Sequence, residues 1–190
     1  MAKKKVLIAL DGSEFSRAIL QFICRDLGPE HFEAIVFHVA EPPSLGAVTP
    51  RHAVLVHDVL VPGYESWVPR GYATPDNADL EVVTFASQIW EARTTELTEQ
   101  MIDEARPLKE AGFTVSVEIR FGDPGAEIIG FVEHEGVDLV AMTTHGRTGL
   151  RRLVLGSVAE HVLCRVPVPV MLVRPFQDAL EGEHDAATLD

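Results

Sequence analysis

Five short apolar runs recur along the chain, and helical patterns separate them: Val6 to Leu10, Ala34 to Ala40, Phe113 to Phe121, Val137 to Met142 and Val168 to Val173. The first is continuous and is cut off by Asp11-Gly12, which is how a strand buried on both faces of a parallel sheet reads. The third is more alternating, with Val115, Val117 and Ile119 on one face. After the first run, Ser13 can cap a helix in which Phe15, Ala18, Ile19, Phe22, Ile23 and Leu27 share a face, and Gly28-Pro29 ends it. A long helix is expected over 79–111, with Leu97, Met101, Ala105 and Leu108 as its inner stripe and Ala86, Ile89 and Trp90 a turn or two earlier. Further helices are expected over Ala126 to His134 and Val158 to Cys164. Strands alternating with helices require crossover connections. This predicts an α/β fold, an open five-stranded parallel sheet with helices on both faces.

The 190 residues suit one domain, over 1–175. Residues 41–78 interrupt the rhythm with Pro42, Pro43, Pro50, Pro62, Pro69 and Pro75. Their apolar content, including Val54, Leu55, Tyr64, Trp67 and Tyr72, predicts an ordered insertion rather than a free linker. His52, His57 and Asp58 within it fit no recognised metal-ligand spacing. Residues 176–190 carry acids and no Lys or Arg, and read as a mobile tail. The net charge of −13 argues against nucleic acid and anionic membrane as partners. No run is long enough for a membrane span, and Lys3-Lys4-Lys5 precedes too short an apolar run for an export signal, so a cytoplasmic protein is expected. Cys24 and Cys164 fall in apolar helical patterns and read as two buried thiols.

The chemistry concentrates after the fourth run. Thr143-Thr144-His145-Gly146-Arg147-Thr148-Gly149 leads through Leu150 to Leu155 into Gly156-Ser157, where a helix begins. Free N–H groups at a helix start attract anions, and glycine lets the backbone approach a ligand. If the first and fourth strands are neighbours where the winding reverses, Asp11-Gly12-Ser13 and the 143–146 loop face each other across one crevice, beside His38-Val39-Ala40. Ser157 can donate its hydroxyl to a phosphate, and Arg147, Arg151 and Arg152 bring guanidinium groups that match phosphate or are simply solvated. The same glycines could only shape a connection, and Asp11 could only be a turn former. His145 and His161 read as structural, and no spacing argues for a catalytic triad or a carboxylate pair.

Together these residues resemble the universal stress protein family. The resemblance covers Val6 to Ser13, Phe37-His38-Val39, Gly122-Asp123-Pro124, Glu135 to Leu139, the Thr-His-Gly-Arg-Thr-Gly loop, Leu155 to Glu160 and Val166 to Val170. In the family's ATP-binding branch the loop reads G-x-x-G-x9-G-[S/T]. Gly146, Gly156 and Ser157 match it, and Thr143 stands in place of the first glycine. The resemblance implies a Rossmann-like sheet of the adenine nucleotide alpha hydrolase-like type, with strand order 3-2-1-4-5. It implies ATP as ligand, with Asp11 and Val39 framing adenine and ribose and Met142 as an apolar wall. Thr143, Gly146, Arg147, Gly149, Gly156 and Ser157 would hold the rest, with Mg2+ or Mn2+ bound through the phosphates. It also implies homodimers through Val168 to Val173, a stress-response role with protein partners the sequence does not name, and at most a weak ATPase. The alternative, prompted by Thr143 and the insertion, is a relative that binds no nucleotide and acts through dimerisation and partner contacts. An enzyme with true turnover through His145 or Asp11 has the least support.

Overall fold

The computed structural model describes residues 2–43, 80–144 and 155–174, the side chains of 80–87 excepted. The insertion from residue 44, the loop 145–154 and the tail from residue 175 lie outside the described residues. The chain runs β1 (Lys4–Ala9), α1 (Glu14–Arg17), α2 (Ile19–Asp26), β2 (Phe32–Ala40), α3 (Leu80–Glu104), α4 (Arg106–Glu110), β3 (Thr114–Phe121), α5 (Pro124–Glu135), β4 (Leu139–Thr143), α6 (Ser157–Leu163) and β5 (Val170–Val173).

All strands pair in parallel, in the order β3-β2-β1-β4-β5. The expected sheet is therefore present in the expected order. Alternation along each strand divides the core into two layers. Val6, Ile8, Ala34, Val36 and Ala141 face α1 to α4, with Ile19, Ile23, Met101 and Leu108 behind them. Leu7, Ile35, Phe37, Val140 and Met142 face α5 and α6, with Phe131, Val132 and Val162 behind them. The continuous apolar reading of β1 follows from this, since Val6, Leu7 and Ile8 are all fully buried. Each such side chain contributes roughly 1.5–3 kcal/mol of transfer free energy.

Two expected helices are broken. The long one stops at Glu104 and restarts at Arg106, because Pro107 has no N–H to donate back to the preceding turn. The inner stripe continues across the break, with Leu97, Met101, Ala105 and Leu108 all buried. The first helix is interrupted at Ala18, which caps α1 and opens α2 with helical dihedrals. Neither thiol is fully buried as expected: Cys24 is half-buried on the side of α2 that meets α4, and Cys164 is exposed. The latter is the C-cap of α6, past the inward-facing Ala159 and Val162, so the helical pattern no longer governs it.

Candidate functional site

At the carboxyl ends of the strands the chain turns away from the sheet, and these turns line a cleft of about 890 Å3. β1 is the central strand of five, and its exit forms the middle of the floor. Gly12 adopts φ +80°, a conformation in which a Cβ is strained, so glycine is required by the turn rather than by space. Around it a compact network forms. The Ser13 N–H donates to Asp11 Oδ1 at 2.9 Å, and the Ser16 N–H donates to Ser13 Oγ at 3.1 Å, which makes Ser13 the predicted cap of α1. The Ser16 hydroxyl donates to the Ser13 carbonyl at 2.9 Å and accepts the Asp11 N–H at 3.2 Å. From β2, buried His38 donates Nδ1–H to the Leu10 carbonyl at 2.8 Å, tying the two strand ends together. The acceptor is a carbonyl, so the proton must sit on Nδ1.

The β4 end supplies Met142 and Thr143, both buried and both lining the cleft. They point to opposite faces of the sheet, Met142 toward α5 and α6. α6 begins at Ser157 with Gly156 as N-cap, as expected. The Gly156 N–H, however, is already engaged, donating to the Thr144 carbonyl at 2.9 Å. The groups a helix start leaves without an intrahelical acceptor are then the N–H groups of Ser157, Val158 and Ala159, all of which line the cleft. Gly156 is needed for another reason than freedom of φ. A Cβ there would lie 3.0 Å from the Thr144 carbonyl oxygen, backbone that has little room to yield.

Asp11, Val39, Met142, Thr143, Gly156 and Ser157 therefore meet around one cleft. Gly146, Arg147 and Gly149 lie outside the described residues, as do His145, Arg151 and Arg152. His161 lies beside α5, its Nδ1 2.8 Å from where a Cβ on Gly125 would stand, so it fills the α5–α6 contact as a structural residue. Sequence reasoning missed one wall. Arg93, Leu97 and Gln100 of α3 also line the cleft, as do Glu41 and Asp123. Leu97 was read only as core, and the polar positions beside it gave no separate signal. The charged lining among the described residues is Asp11, Glu41 and Asp123 against Arg93. Among the described residues no group of three His, Cys, Asp or Glu could hold a metal ion, and no helix is long and apolar enough to cross a membrane.

A parallel α/β sheet with a cleft at its winding reversal and a helix start opening into it defines a protein of the Rossmann-like class. Residues 69–174 match the universal stress protein family, and the chain belongs to it. Universal stress protein MJ0577 of Methanocaldococcus jannaschii is 36% identical over 93 residues, covering 49% of this chain and 57% of that protein. The chain spans about half the length of the curated relatives it matches first. The solved structure of MJ0577 superposes with a TM-score of 0.62 at 26% identity, covering 93% of this chain and 99% of that one. Two more distant structures share the fold. One is a universal stress protein in complex with cAMP (TM-score 0.53, 16% identity, 92% and 98% coverage). The other is an Arabidopsis thaliana family member with AMP bound (TM-score 0.52, 17% identity, 95% and 97% coverage).

Proposed function

We propose that this universal stress protein is a regulatory module that binds ATP in the cleft, with slow or no hydrolysis, and works in the cytoplasm. The observation that carries the reading is the convergence of Asp11, Val39, Met142, Thr143, Gly156 and Ser157 on one cleft where the winding reverses. The sheet order suggests how a nucleotide would lie. The base falls over the β2 end near Val39, the sugar over the β1 end near Asp11 and Gly12, and the phosphates over the β4 end against Ser157 and the start of α6. Adenine nucleotides bound by family members of the same fold support the ligand class. In this reading Gly146, Arg147 and Gly149 complete the phosphate side. The described lining carries more acids than cations, so a polyphosphate needs added positive charge, from Arg147 or from Mg2+ or Mn2+ held through the phosphates.

Calorimetry with ATP and Mg2+ on nucleotide-stripped protein tests this: saturable binding is expected, and no heat at high protein concentration would overturn it. Mass spectrometry of small molecules released by heating the purified protein gives an independent reading. Buried Thr143 at the position of the family's first loop glycine favours the second reading, a member that binds no nucleotide and acts through dimerisation and partner contacts. Edge strand β5 supports a homodimer in either case. Its Val170, Met171 and Leu172 are only half-buried. Sedimentation measures that mass directly.

A further inference from the structure

We infer that Gln100 of α3 reads a sugar hydroxyl of the bound nucleotide and so makes the cleft selective for ribonucleotides; this rests on the nucleotide reading above. Gln100 is seven residues past Arg93 on the wall that sequence reasoning missed, and it stands over the turn at the β1 end. Its Nε2 lies 3.5 Å from where a Cβ on Gly12 would be. β1 is flanked by β2 on the base side and β4 on the phosphate side, so the part of a nucleotide that passes over Gly12 is the sugar.

The orientation of the Gln100 amide is fixed by chemistry. Its partner is Glu104, whose Oε1 accepts from Gln100 Nε2 at 3.1 Å and from Arg17 Nη1 at 3.3 Å. A carboxylate only accepts, so the NH2 end faces Glu104; the same Nε2 is the amide atom nearest the Gly12 turn, and its second N–H is left for a ligand. Glu104 is itself held, since its side chain is 8% exposed and Arg17 reaches it from the end of α1. An N–H donates to an acceptor, and a sugar hydroxyl oxygen accepts. Asp11, in the same turn, accepts the Ser13 N–H at Oδ1. Both side chains line the cleft, Asp11 from the β1 end and Gln100 from α3. Gln100 is exposed and makes no core contact, so replacing it should leave the fold intact.

The test is a comparison of ATP, 2′-deoxy-ATP and 3′-deoxy-ATP by calorimetry on the full chain, wild type against Gln100→Met, with Gln100→Ala as second variant. Wild type should prefer ATP over at least one deoxy form, and that preference should shrink about 3- to 10-fold in both variants, the range of one hydrogen bond. A merely structural role would weaken all three ligands alike. Preference ratios unchanged in the variants, or a wild type that does not discriminate, would overturn the assignment. Absence of binding by all three nucleotides would instead overturn the nucleotide reading itself.

Discussion

The layer that backs the cleft between the sheet and α5 and α6 is apolar and close-packed, whereas the wall contributed by α1 and α3 is held by side-chain hydrogen bonds. On the first, Met142 and Val39 join a layer in which Phe37 and Phe131 pack with ring centroids 4.9 Å apart. On the second, Arg17, Glu104 and Gln100 link the end of α1 to the face of α3, above a turn built from Asp11, Ser13 and Ser16. The difference suits a ligand with a flat apolar part and a hydroxylated part. One wall offers surface to cover, and the other offers directional partners that lose value when displaced by a fraction of an ångström.

The comparison can be broken from either side. The largest effect is expected on the apolar wall. Met142→Ala removes a side chain that is 5% exposed and should cost about 2–5 kcal/mol in urea unfolding, by lost transfer and the cavity left behind. Next comes Gly156→Ala, where the added Cβ meets the Thr144 carbonyl. ATP affinity should fall at least about tenfold by calorimetry, a change of roughly 1.4 kcal/mol, with a lower Tm. Thr143→Gly separates the two readings of the site. Stability should drop by about 1 kcal/mol, from backbone entropy in a strand, while ATP affinity rises. Unchanged affinity would show that the threonine does not obstruct the ligand. The smallest effect is on the thiols. Burial raises the Cys24 thiol, so less of it is thiolate at pH 8, whereas Cys164 is exposed. A thiol reagent should give one fast and one slow phase, Cys164→Ser should remove the fast one, and raising the pH should quicken the slow one.

The sheet was legible in the chain because burial on two faces writes itself as unbroken apolar runs, as in Val6-Leu7-Ile8. The cap at Ser13 and the turn at Gly12 were legible for a local reason, since each depends on residues within a few positions. The break before Arg106 had a visible cause in Pro107 that the stripe of Leu97, Met101, Ala105 and Leu108 masked, because apolar spacing persists across a short interruption. The break at Ala18 has no counterpart signal in the residues. Gln100 was illegible as a site residue because its role depends on how α3 is laid across the sheet, a matter of helix docking that no spacing within α3 encodes. The bond from the Gly156 N–H to the Thr144 carbonyl had no signal in the residues, since donor and acceptor lie twelve positions apart.

That bond also bears on what the junction tolerates. Thr144 is held to β5 through Val173 at 3.0 Å and to Gly156 at 2.9 Å, so both ends of segment 145–155 are anchored to the same spot by backbone alone. The end of β4 and the start of α6 are therefore joined by backbone bonds that no side chain supplies, so substitutions that spare Thr144 and Gly156 should leave this junction in place.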